Sequence, residues 1–71
     1  MSYTTSTQNA LHHHTLTHTI YPDGFVHTQL ASFEGWYVTC AEGYLGAGEI
    51  IADVICRNND AIYDEMGWND A

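Results

Sequence analysis

Residues alternate in character along 12–21, with His12, His14, Leu16, His18 and Ile20 on one side and His13, Thr15, Thr17, Thr19 and Tyr21 on the other. A period of two is that of a β-strand, and Thr and Tyr favour its pleated surface. Tyr21-Pro22-Asp23-Gly24 then predicts a turn: proline presets the first turn position, Asp suits the next, and Gly accepts the left-handed backbone of a type I turn with a following bulge. A second strand follows over 25–30, with Val26 and Leu30 on one face and Phe25, His27 and Gln29 on the other. Its alternation is imperfect, and a short helical turn over 25–33 is the alternative. Ser32-Phe33-Glu34-Gly35 has the residues of another tight turn. A third strand over 36–41, aromatic and β-branched, turns Trp36, Val38 and Cys40 to one side and is expected to be the best buried.

The period changes after a glycine-bearing loop at 42–48, which lacks the lysine and hydroxyl pattern of a phosphate-binding loop. Ile50, Ile51, Val54 and Ile55 lie at spacings of one, three and four, the stripe of an amphipathic helix beginning at 47 or 48 and ending at 57. Glu49 in its first turn and Arg57 in its last suit the helix dipole, and Asp53 is placed to pair with Arg57 four residues on. Asn58 and Asn59 predict a stop, one of them capping a short second helix over 60–66 that Gly67 ends. Ile62 and Met66 share a face there, with Tyr63 beside it. Residues 1–10, rich in Ser and Thr without apolar periodicity, read as a flexible arm or a short edge segment ahead of one domain over 11–71. The expected fold is α+β: a small three-stranded antiparallel meander, one main helix on a sheet face, and a short C-terminal helix.

Composition makes the surface more specific than the fold. The 71 residues carry nine Asp and Glu against one Arg and no Lys, a formal charge of −8, while 45% are apolar. That apolar content suits a folded domain rather than an acidic tail. The negative potential disfavours direct nucleic-acid binding and favours a cationic protein surface or a metal ion. No apolar run approaches the roughly 18 residues of a membrane span, and the polar start has no leader pattern, so a soluble, cytoplasmic protein is expected. Cys40 and Cys56 read as reduced, buried small residues rather than a disulfide.

Candidate chemistry is sparse. His12, His14 and His18 along one strand face, with His27 approaching from the next, suggest a metal-binding strand, though same-face residues spread at about 6.6 Å steps. No cysteine–histidine or carboxylate pair has the pattern of a catalytic site, so no enzyme activity or cofactor is expected. What remains is acid on a rigid frame: Glu42, Glu49, Asp53, Asp60, Asp64 and Glu65, with Tyr63 and Trp68 as aromatic anchors. Carboxylates four apart on a helix stand about 5–6 Å from each other, a spacing that imitates nucleic-acid phosphates before an Arg or Lys pocket.

In size and charge, rather than in a shared motif, this short, lysine-free, acidic chain resembles the small anti-CRISPR proteins of bacteriophages and mobile elements, particularly inhibitors of type I effector complexes. The resemblance implies binding to a Cas effector subunit, over the basic surface that reads the protospacer-adjacent motif, so that recognition of target DNA is blocked. A monomer or weak dimer is expected. The histidine-strand metal protein, and an acidic antidote to a basic toxin, are the alternatives.

Overall fold

The computed structural model describes residues 2–69. Four antiparallel strands, β1 (Thr4–Asn9), β2 (Thr15–Ile20), β3 (Phe25–Ala31) and β4 (Tyr37–Tyr44), lie side by side in chain order, and one helix, α1 (Ile51–Met66), follows them. The class is the expected α+β. The sheet has four strands rather than three, because the segment read as a flexible arm or a short edge segment is the latter, the edge strand β1, paired from Thr4 opposite Ile20 to Asn9 opposite Thr15. All six of its side chains are exposed, so it carries no apolar signal. The strand expected over 12–21 begins only at Thr15; Leu11–His13 form a tight turn, with His12 and His13 at left-handed φ of 59° and 63°.

Both predicted hairpin turns form. Gly24 sits at φ 92°, with its N–H donating to the Tyr21 carbonyl at 3.0 Å and the Asp23 side chain accepting from the Phe25 N–H at 3.2 Å. Ser32 and Gly35 close the second turn in the same way, and the Ser32 hydroxyl oxygen accepts from the N–H groups of Glu34 and Trp36. Residues 25–31 are a strand and not a helical turn, with Val26, Thr28 and Leu30 buried beneath α1.

β4 reverses the expected orientation. Thr39, Ala41 and Gly43 stand opposite Leu30, Thr28 and Val26 on the helix side, while Val38 and Cys40 are exposed and Trp36 just ahead of the strand is 69% exposed. A register irregularity opposite Leu30 and Ala31 shifts the alternation there. Close approach of α1 selects small residues on β4: a Cβ on Gly43 would meet Asn58 Oδ1 at 3.0 Å and Val54 Cγ1 at 3.1 Å. The strand expected to be best buried is therefore an edge strand with its larger side chains outside.

The helix is continuous where a break was expected. Asn58 points into the core, its amide donating to the Val26 carbonyl at 3.2 Å and Thr28 Oγ1 at 3.0 Å. A buried side chain satisfied in this way stabilises the helical conformation against the local alternatives that make asparagine a stop signal. The inward stripe is Val54, Asn58 and Ile62 with Ile51 and Ile55 half-buried, whereas Ile50 precedes the helix and is exposed. Asp53 caps the start by accepting from the Ile50 N–H at 3.0 Å. Gly67, left-handed at φ 75°, ends the helix in a Schellman arrangement, with the Trp68 N–H reaching the Tyr63 carbonyl at 2.8 Å.

The core is correspondingly small. Leu16, Leu30 and Ile62 form its centre, flanked by Ala10, Ala41, Tyr63, Met66 and Trp68. Three buried polar residues, His18, Thr28 and Asn58, lie among the apolar ones. Asn58 donates to Thr28 Oγ1, leaving the Thr28 hydroxyl hydrogen for His18 Nδ1 at 2.9 Å, and His18 Nε2–H donates to Gln8 Oε1 at 2.8 Å. This chain fixes a neutral imidazole and ties edge strand β1 through β2 and β3 to α1.

Candidate functional site

The outward side of α1 is set by the same register that buries Val54, Asn58 and Ile62. Asp53, Arg57, Asp60 and Asp64 follow one another at spacings of four, three and four on the opposite side, and all are exposed. The expected neighbours Asp60 and Asp64 are thus together, one turn or about 6 Å apart. Asn69 braces them, its amide donating to Asp64 Oδ1 at 3.1 Å and to the Asp60 backbone carbonyl at 3.5 Å. Glu65, expected beside them, is exposed but lies about 100° around the helix from Asp64, three residues beyond Ile62 on the sheet-facing side, and so is not part of this ridge.

Arg57 does not pair with Asp53 as its spacing suggests. Its guanidinium binds the Glu49 carboxylate and donates to the Tyr44 carbonyl at 3.0 Å, fastening the end of β4 to the helix. The Arg57 hydrogen bond, assisted by the Gly46 N–H at 2.6 Å, holds the Glu49 carboxyl below its ordinary range. Glu49 is thereby a structural ion and stands apart from the ridge. Among the described residues, no basic group pairs with Asp53, Asp60 or Asp64.

Glu42 lies elsewhere altogether. It projects from β4 on the sheet face away from α1, where His27 Nδ1 is 3.2 Å from its carboxylate. Tyr63 and Trp68 are half-buried at the C-terminal end of α1, packed edge to face at 5.1 Å, and belong to the rim of the core. Neither stands on the ridge as an exposed anchor.

The histidines do not form the row expected of a metal-binding strand. His18 is 1% exposed with both ring nitrogens engaged, and burial lowers its pKa below the ordinary imidazole value. His27 is on the far sheet face. His12 and His14 sit in the β1–β2 connection, where His14 Nδ1–H donates to the His12 carbonyl at 3.0 Å and both rings lie against Trp68, at 5.5 and 5.2 Å. The left-handed turn lifts these two off the strand, a displacement the alternating pattern conceals. Among the described residues, no three His, Cys, Asp or Glu converge on a metal-sized site. Cys40 and Cys56 are free and exposed on different elements, instead of filling apolar faces.

The described residues enclose no cavity, and no described helix is long and apolar enough to cross a membrane. The chemistry presented to a partner is that of two faces: the carboxylate ridge of α1 and the bare side of the sheet. Comparison with protein-family models, curated proteins and solved structures finds no match to this chain.

Proposed function

We propose that the protein acts by binding rather than by catalysis, docking the α1 ridge of Asp53, Asp60 and Asp64 onto a cationic nucleic-acid-binding surface of another protein. The observation that carries this reading is that the chain's one arginine pairs with none of the ridge carboxylates: Arg57 stands between Asp53 and Asp60 on the same side of the helix, yet binds Glu49. Three carboxylates on a rigid helix are left to seek charge outside the molecule. Arginine and lysine groups that clamp phosphates accept carboxylates through the same charge-assisted bonds.

The partner implied by the resemblance is a subunit of a type I CRISPR effector, met in the cytoplasm of the host cell, with exclusion of target duplex as the consequence. An acidic antidote to a basic toxin would use the same ridge, so identifying the partner decides between them. Co-elution with a purified type I effector, followed by duplex binding to the complex, is the test. Reversing charge with Asp60→Lys and Asp64→Lys together is expected to weaken binding about 10- to 100-fold, and added salt to weaken the unaltered chain. Undiminished inhibition by the doubly reversed variant would remove the ridge from consideration.

A further inference from the structure

The sheet is covered on one side only. Across its bare side run the rows Thr5, Thr19, His27, Glu42 and Thr7, Thr17, Gln29, Cys40, each contributed by β1, β2, β3 and β4 in turn. At one end the rings of Tyr3, Tyr21, Phe25 and Tyr44 form an unbroken line, with neighbouring centroids 5.7, 5.6 and 4.9 Å apart. The outer members, Tyr3 and Tyr44, remain 60% and 63% exposed.

Charge is distributed unevenly between the two sides. The described carboxylates lie on α1 or just before it, in the two hairpin turns at Asp23 and Glu34, and at Glu42. Glu42 is the lone acid among the described residues of the bare face, where its carboxylate accepts a hydrogen bond from His27 Nδ1 at 3.2 Å. A chain of formal charge −8 thus has one broad side that carries a single carboxylate among the described residues.

We propose that this bare sheet face is the interface of a symmetric homodimer, two copies stacked sheet to sheet with their helices turned outward. Charge selects the occupant and the geometry, because approach through α1 sets Asp53, Asp60 and Asp64 against their own copies, whereas approach through the sheet does not. Size agrees: the molecule extends 32 × 25 × 15 Å, and its broad side is of the order of the 800 Å² per partner that a standard interface buries. Stacked sheets pack about 10 Å apart, a gap filled by threonine methyls and tyrosine rings whose hydroxyls reach water at the rim. The proposal goes beyond the ridge reading and holds whatever the ridge binds.

The two exposed cysteines make the test specific, since Cys40 lies on the bare sheet face and Cys56 on the helix. Sedimentation equilibrium of the full chain between about 10 μM and about 1 mM covers the range for a weak dimer of this area. The mass is expected to rise from 7.9 kDa toward two chains. Over the same range, maleimide labelling of Cys40 slows while labelling of Cys56 does not. Thr17→Lys, at the middle of the face, restores the monomer and removes Cys40 protection, and Thr7→Lys on the edge strand does the same. Far-UV circular dichroism establishes that both variants are folded. A monomer throughout the range, a dimer that shields Cys56 instead, or a dimer that survives both lysines while folded, as pairing along the β4 edge would produce, overturns the proposal.

Discussion

Asn58 and Asn59 are chemically identical neighbours in α1, and the fold assigns them opposite energetic roles. The Asn58 amide is buried and makes two hydrogen bonds to β3, to the Val26 carbonyl at 3.2 Å and to Thr28 Oγ1 at 3.0 Å. Asn58→Ala removes both donors from buried acceptors and leaves space beside Gly43. Losing a partner from a buried group costs about 1–3 kcal/mol, and the Thr28 hydroxyl keeps His18 as an acceptor, so a total of about 2–3 kcal/mol is expected. In a domain of this size each kcal/mol lowers Tm by about 4–8 °C, placing the variant roughly 10–20 °C below the unaltered protein. Asn59 instead makes one long contact, 3.5 Å to Gln8 Oε1, while its own Oδ1 is buried without a partner. Asn59→Ala removes that orphaned oxygen and gains helix propensity, so its expected effect lies between zero and a stabilisation of about 1 kcal/mol. Thermal melts followed at 222 nm, supported by urea titrations, measure both variants. Equal effects, or a larger loss at position 59, would refute the register of α1 on the sheet and the polar chain built on it.

Three further outcomes follow from the same geometry. His18 is held neutral by burial, among the uncharged partners Thr28 and Gln8, so its folded pKa lies below the unfolded value of about 6.5. The unfolded chain then binds the extra proton in the interval between the two pKa values; the His18 contribution is complete above pH 6.5 and is lost as pH falls through the folded pKa. Urea stability against pH, with an NMR titration of the His18 ring, measures it, and a ring titrating above 6.5 contradicts the expectation. Gly43→Ala is expected to destabilise by about 1–2 kcal/mol in urea unfolding, because its methyl crowds Asn58 and Val54, and a neutral outcome would mean that α1 stands farther from β4. His13→Gly is expected to raise stability by about 0.5–1 kcal/mol by relieving an exposed left-handed residue at φ 63°, and a lowered Tm would contradict that conformation.

Local chemistry was legible wherever a residue type has one dominant backbone use. Gly24, Gly35 and Gly67 all occupy the left-handed positions their turn and cap signals imply, and Leu16, His18 and Ile20 share the face that their alternation predicts. Orientation failed where packing distance outranks hydrophobicity: Trp36 and Val38 are more apolar than Thr39, Ala41 and Gly43, but only the small residues admit the helix. Asn58 misled for the related reason that a stop signal describes an exposed helix, and this asparagine has partners thirty or more residues away. β1 was hidden because a polar edge strand has no apolar period to detect. At the candidate site, the pairing of Asp60 with Asp64 follows from helical spacing alone, whereas Glu49 is engaged by Arg57, a partner that spacing does not reveal, and Glu42 is held away from the ridge by its place on the far face of β4.

The acidity and the bare sheet share a physical origin in the size of the domain. A single 16-residue helix covers one side of a four-stranded sheet, and the chain supplies no second layer for the other side among its described residues. A sheet left open with a line of aromatic rings invites indiscriminate stacking, and its unpaired edges invite strand addition. Net charge opposes both by keeping copies apart at long range. Because the carboxylates are gathered on α1 and in the turns, their repulsion is strongest for encounters through the helix and weakest for encounters through the sheet. The arrangement that leaves the Asp53, Asp60 and Asp64 ridge without an internal basic partner therefore also disfavours self-association through the helix relative to the sheet. Two copies joined by their sheets would carry two such ridges on opposite outer sides, each as accessible as in the single chain.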